Sequence, residues 1–332
     1  MSNFFATHGR QNAAWLRFKR NQAAVAGGIF LAAAVCVVLI WPILPTPTLA
    51  VAVSKAMTHS PLTLSDAQFA PPSREHWFGA DVHGRDLLSR VVYGARISLL
   101  VGLVGAVVSL VIGVVWGAVA GYIGGRCDQI LMRMVDILYS LPSIVFVIVL
   151  ITTLEVSFKA WLTKMFSSEV APLARLLFLF AGLGAVSWLT MARIVRGQVL
   201  SLRAQNFIAA SRALGASHTR IIFRHILPNV YGVIIVYLTL TVPSVILYES
   251  FLSYLGLGIQ PPQASLGSLM AEGAAQINPI RIYWWLIVFP GGFLATLLLG
   301  ALAPCHEKNT ELKIFFFQTR RKILVRSGGV SL

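Results

Sequence analysis

Six apolar stretches divide this chain, each long enough to cross a bilayer as a helix: Ala23–Leu44, Ile97–Tyr122, Met134–Thr153, Leu173–Ala192, Val230–Tyr248 and Tyr283–Ala303. About 20 apolar residues cover the ~30 Å of hydrocarbon at the helical rise. None of the six alternates with the period of two that a half-buried strand shows, and open strands cannot satisfy their backbone in lipid. The pattern therefore predicts helices rather than a barrel. Pro142, Pro243 and Pro290 fall inside three of the stretches and mark candidate kinks. Gly102, Gly105, Gly113, Gly117, Gly121 and Gly124 recur at intervals of three, four or eight, which predicts a face for close helix packing.

Composition agrees. Over 332 residues the chain is 57% hydrophobic and 12% charged, with mean hydropathy +0.76, too apolar for one soluble domain. The expected fold class is an all-α polytopic membrane protein with six transmembrane helices. The net charge of +15 would fit a nucleic-acid binder, but the basic residues sit in alternate loops, as membrane topology predicts, so no nucleic-acid partner is expected. Arg10, Arg17, Lys19 and Arg20 precede the first stretch, and Arg193, Arg196, Arg203, Arg212, Arg220 and Arg224 follow the fourth with no acid among them. By the positive-inside tendency both regions, and with them both termini, are expected to face the cytoplasm of a multi-pass membrane protein. The expected layout is a cytoplasmic segment 1–22, a transmembrane domain 23–303 with an outer loop 45–96 and a basic inner loop 193–229, and a basic tail 304–332.

Other readings find less support. The first stretch is too long for a cleaved signal peptide and has no A-x-A-like site directly after Trp41-Pro42. Cys36, Cys127 and Cys305 form no C-x-x-C and no external pair, so neither a disulfide framework nor a thiolate metal site is expected. His76 and His83 flank two aspartates, but the spacing is not that of a metal site. Asp136 and Glu249 lie near the ends of their stretches and no acid is central, which gives an ion-coupled secondary transporter, the alternative reading, little to work with. There is no paired nucleophile and base and no G-x-x-x-x-G-K-[ST], so no residue is expected to be catalytic and no cofactor is expected.

The inner loop is the most specific segment. Residues 205–229 read QNFIAASRALGASHTRIIFRHILPN. Ile208–Leu214 favours helix, Gly215 stands where a left-handed C-cap is needed, Ser217 can N-cap a second helix over Ile221–Leu227, and Pro228 enters the fifth stretch. An amphipathic linker lying on membrane lipid, arginines toward anionic headgroups, would share this composition. The spacing Ala209-Ala210-Ser211-x-x-x-Gly215 followed by Leu227-Pro228, however, resembles the E-A-A-x-x-x-G…L-P signature of ABC importer permeases. In that family the short helix is a coupling helix that sits in a groove of the cytoplasmic ATPase. Ala209 replaces the family's frequent glutamate, removing one possible salt bridge or cap. The resemblance implies a docking element of Ala209, Ala210, Ser211, Leu214 and Gly215, with Arg212 and Arg220 as electrostatic support.

Two further stretches narrow the resemblance. His76–Arg90, HWFGADVHGRDLLSR, followed by Tyr93-Gly94-Ala95-Arg96-Ile97-Ser98, is similar to the W-F-G-T-D-x-x-G-R-D-x-x-S-R…Y-G-A-R-x-S run of dipeptide and oligopeptide importer permeases. Ser253-Tyr254-Leu255-Gly256-Leu257-Gly258-x-x-Pro261-Pro262 resembles their S-F-L-G-L-G-x-x-P-P segment, and Trp15–Asn21 fits their cytoplasmic start. On their own chemistry, Gly79 and Gly84 permit tight turns, while Asp81, Arg85, Asp86 and Arg90 can form a local charge network. That network would be an outer gate or receptor-docking surface, or a clamp holding the outer segment against the next helix, and the clamp is the simpler reading. The tail departs from the family after about Leu299, as a frameshift would make it.

The resemblance implies the type I ABC importer permease architecture and the C-type half of a permease pair. It also implies a homologous permease, two cytoplasmic ATP-binding subunits and a periplasmic or lipid-anchored substrate-binding protein as partners. The implied cargo is di- or oligopeptides or a related small solute.

Overall fold

The computed structural model describes residues 62–165, 171–261 and 263–301. The expected first span, the segment 1–22, Cys36, Pro262, Cys305 and the tail 304–332 lie outside the described residues. By compactness the chain divides into Met1–Trp41 with Ala295–Leu332, and Pro42–Leu294. Of the first unit, the described residues are Ala295–Ala301, the last turns of a helix.

The elements are helices: α1 (Leu87–Ile123), α2 (Gly125–Ser140), α3 (Ser143–Met165), α4 (Ala171–Arg203) and α5 (Asn206–Ala213), then α6 (His218–Tyr254), α7 (Leu266–Ala275) and α8 (Trp285–Ala301). Among the described residues the β-structure is one isolated bridge between Ala80 and Asp86. Helices α1 and α6, 37 residues each, are long and apolar enough to cross a membrane. At 1.5 Å per residue such a helix is ~55 Å long and outreaches the hydrocarbon at one or both ends.

The expected third span is broken. Helix α2 and the Ser143–Thr153 part of α3 meet at 91°, and the corner is Leu141-Pro142. Leu141 has φ −81° and ψ 137°, because the proline ring excludes the helical region for the residue before it. Pro243 and Pro290, by contrast, leave α6 and α8 continuous.

Helix α1 packs most extensively against α4 and next against α6. Its glycines divide between those two partners rather than forming one face. A Cβ at Gly113 would come 2.6 Å from Met191 Cβ on α4, and one at Gly102 would come 2.6 Å from Ile246 Cγ1 on α6. Gly184 of α4 returns the approach, its Cβ position lying 2.6 Å from Val108 Cβ. Backbones this close gain dispersion contacts, which is how helices hold together where lipid removes the hydrophobic advantage.

Candidate functional site

At the C-terminal end of α1 the chain folds the 205–229 loop into a helix, a glycine stop and a second helix. Helix α5 covers Asn206–Ala213. Gly215 follows at φ +77°, in the left-handed region, and Ala216 N–H donates to the Ser211 carbonyl (3.1 Å) while Gly215 N–H donates to that of Arg212 (2.9 Å). This pair of bonds is a Schellman motif, and glycine fills its left-handed position without a Cβ penalty. Ser217 caps α6, its hydroxyl accepting from Arg220 N–H at 3.4 Å. The expected regular helix over Ile221–Leu227 is instead a π-helical turn, Ile221–Ile226, with Leu227 N–H reaching back to the Ile222 carbonyl. Pro228 explains the widening, since it has no N–H for the Arg224 carbonyl and its ring crowds that oxygen.

Helix α5 has one buried anchor. Ile208 is fully buried, packed with Val195, Val199, Ile221 and Ile226. Ala209, Ala210, Arg212, Gly215 and Arg220 are exposed, Ser211 is half-buried with its hydroxyl donating to the Phe207 carbonyl (2.8 Å), and Leu214 is 87% exposed. Of the expected docking residues all but Ser211 are thus exposed, with the Arg212 guanidinium turned over the Tyr122 ring.

The opposite end of α1 is built from charges. Asp81 accepts from Arg85 Nε at 2.7 Å and Arg90 Nη1 at 2.6 Å, and its other oxygen takes the backbone N–H groups of His83 (2.8 Å) and Arg85 (2.9 Å). Glu272 of α7 completes the cluster, accepting from Arg90 through both oxygens at 2.6 and 3.0 Å and from Arg85 at 3.4 Å. Asp86, expected in this network, has a different task. It is the N-cap of α1, accepting from the Ser89 N–H and hydroxyl (2.9 Å each), and it sits 3.0 Å from His76 Nδ1. A carboxylate there satisfies orphan N–H groups and meets the positive end of the helix dipole. Gly79 and Gly84 both take positive φ, and a Cβ on Gly79 would press on the Ala70 carbonyl and the Trp285 ring. Stacking of Phe69 on Tyr283 (4.2 Å) and Phe78 on Phe289 (4.1 Å) holds the same segment from the other side.

Several polar pairings that the sequence did not show also matter. Asp128 of α2 pairs with Arg196 of α4, with Arg196 Nη2 2.6 Å from Asp128 Oδ2, and Asp136 pairs with Arg193 at 2.7 Å, whose guanidinium lies 4.0 Å from the Tyr139 ring centre. Two ion pairs therefore pin α2 to α4. Glu249, expected near the end of its span, lies inside α6 and is fully buried. It accepts from Ser253 (2.6 Å) and from Ser98 of α1 (2.8 Å), whose oxygen also receives Leu266 N–H from the start of α7 (3.4 Å). Glu272 and Ser98 carry no local signal of these partners. Each meets its carboxylate or guanidinium across 150 or more residues of chain.

The description "Binding-protein-dependent transport system inner membrane component" fits residues 113–304, and "N-terminal TM domain of oligopeptide transport permease C" fits residues 12–72. The chain belongs to this permease family, in its oligopeptide permease C branch. It is 41% identical over 288 residues to the oligopeptide transport system permease protein OppC of Haemophilus influenzae, 85% of this chain and 81% of that one. The Escherichia coli K12 protein of the same name is 44% identical over 288 residues, with 85% and 83% covered. The dipeptide transport system permease protein DppC of Bacillus subtilis is 40% identical over 282 residues, with 85% and 78% covered. A solved inward-facing MetNI methionine ABC transporter aligns at TM-score 0.49 and 19% identity, over 68% of this chain and 97% of that one. This permease is accordingly a multi-pass inner-membrane subunit of an ABC importer, and the ion-coupled carrier is not favoured.

Proposed function

We propose that this permease is the C-type subunit of a di- or oligopeptide importer and that Ala209–Gly215 is the element gripped by its ATPase. It pairs with a homologous permease to enclose the pathway, receives cargo from an external binding protein, and opens alternately to either side as two ATP-binding subunits close and part. Both termini and the 193–229 loop face the cytoplasm, while the Asp81–Glu272 cluster lies on the outer side and acts as a clamp. The observation that carries the reading is the surface of α5. A helix exposing Ala209, Ala210 and an 87% exposed Leu214, and anchored on its own domain by Ile208, has the shape of an insert for another protein's groove. The transfer is mechanical: closure of the ATPase pair pulls the docked helices and the attached transmembrane helices rock.

The test is affinity purification of the tagged protein from membranes in mild detergent, with mass spectrometry of its companions, alongside Gly215→Glu and Gly215→Asn. A Cβ at Gly215 meets nothing within 4 Å, so a side chain there projects into the docking surface and leaves the permease's own packing untouched. Asparagine tolerates the left-handed conformation and serves as the control for backbone strain. An ATPase recovered with the wild type and Gly215→Asn but not with Gly215→Glu supports the docking element; equal recovery with all three removes it.

A further inference from the structure

Resting on the docking reading above, we propose that Tyr122 is the positioning residue through which movement of the 206–220 element reaches α1. Tyr122 is in the last turn of α1 and 4% exposed. Its two directional contacts both come from that element. The Arg212 guanidinium lies over the ring face, 5.1 Å from its centre. The hydroxyl is 3.0 Å from His218 Nδ1, with the two rings edge to face at 5.7 Å. One contact comes from the last turn of α5 and the other from the first turn of α6, so Tyr122 bridges both sides of the Gly215 corner. A third tie stands beside it, where Arg203, at the end of α4, donates to the Ile123 carbonyl at 3.1 Å.

The other link between the loop and α1 is apolar packing around Ile208, which is close to isotropic and lets surfaces slide. A hydrogen bond and a cation over a ring face fix direction. A tyrosine needed only to fill space here would serve as phenylalanine, so the hydroxyl is the informative atom. Beyond Tyr122 the path is stiff: α1 runs unbroken for 37 residues, close-packed through its glycines against α4 and α6, and ends where Arg90 holds Glu272 of α7. Displacement of α5 is thereby delivered to the opposite end of the permease along one helix.

The experiment uses the full transporter, with its ATPase and binding protein, in proteoliposomes, and reads ATPase recovery, basal ATP hydrolysis, and peptide taken up per ATP hydrolysed. Tyr122→Phe keeps the ring and the Arg212 contact and deletes the hydroxyl; His218→Ala removes the exposed partner, where folding is not at stake. The expected result is full ATPase recovery and basal hydrolysis with uptake per ATP down about fivefold, the scale of one lost hydrogen bond. The double variant is then no worse than either single, because both remove one interaction. Unchanged uptake per ATP in Tyr122→Phe, or additive losses in the double variant, overturns the inference while leaving the docking reading intact. Loss of ATPase recovery in Tyr122→Phe overturns it in favour of a role in docking itself. A wild-type permease that recovers no ATPase ends the docking reading and this inference together.

Discussion

At the start of α1, the Asp81 and Arg90 side chains are 5% and 4% exposed and between them make six hydrogen bonds, one to each other and the rest to charged side chains or backbone. At the other end, Ala209, Ala210, Gly215 and Arg220 are exposed and Leu214 is almost bare. The first region is internally complete: each buried charge has its partner and the backbone is fixed by glycine turns, a cap and aromatic stacks. The second has a firm frame of Schellman stop, serine cap and buried isoleucines under an exposed surface, which on the proposed docking reading the ATPase covers. Buried polar groups cost several kcal/mol unless paired, so a network so fully paired serves the protein's own architecture. Exposed small apolar residues on a rigid frame cost little in isolation and gain from a partner.

The sharpest way to break the contrast is Arg90→Ala. It removes both bonds to Glu272 and one to Asp81, leaving Asp81 with Arg85 and backbone donors. The expected loss is about 3 kcal/mol, the lower part of the range for stripping one partner from a buried pair, because Glu272 is a third exposed and can take water. Thermal melting of detergent-purified protein measures it, with Glu272→Gln and the double variant closing a cycle that isolates the pair. A melting point unchanged in Arg90→Ala would mean that the cluster is not a clamp.

Much of this is legible in the sequence. The apolar stretches that became α1 and α6, the glycine stop at 215, the serine cap at 217 and the turn glycines at 79 and 84 follow from rules that act over a few residues, and each lies where local chemistry puts it. What failed to show were pairings made by topology. Asp81 to Arg85 is four residues and visible; Arg90 to Glu272 is 182 residues and is not. Asp86 was grouped with the ion pairs because composition cannot tell a charge network from an N-cap that begins one residue later. The corner at Pro142 was legible only as a kink, since the apolar stretch Met134–Thr153 extends to both sides of it, while the residue before proline turns the chain by 91°. Glu249 looked marginal because the apolar stretch ends there, whereas α6 runs on to Tyr254.

Glu249 sharpens the comparison, because it is a buried charge-bearing group that meets hydroxyls rather than a cation among its described contacts. Replacing it with leucine of similar volume strands the Ser98 and Ser253 hydroxyls that donate to it. Interhelical polar contacts in membranes average roughly 0.6 kcal/mol each, and an unsatisfied buried donor costs about 1–3 kcal/mol. The expected loss for Glu249→Leu is therefore about 2 kcal/mol by the same melting assay, with Glu249→Gln losing less because its carbonyl still accepts. Equal melting of both variants and the wild type would show that the carboxylate does not hold α1, α6 and α7 together.

The smallest stability effect tests the other side of the contrast. Leu214→Ser deletes an 87% exposed side chain, so its melting point should stay within about 0.5 kcal/mol of wild type. If Leu214 fills a pocket on the ATPase, truncation should weaken that association by roughly thirtyfold, the scale of a 2 kcal/mol hot spot, read as the salt or detergent concentration at which the ATPase is lost on purification. Ile208→Ser, six residues back and inside α5, is the internal reference. It puts a hydroxyl among Val195, Val199, Ile221 and Ile226, so it should lower the melting point and disturb docking only through the fold. A leucine that matters for association but not stability, beside an isoleucine that matters for stability first, would separate frame from surface within one helix. Were both variants to melt alike and hold the ATPase alike, α5 would be an ordinary surface helix, and its exposed face would need an occupant other than the ATPase.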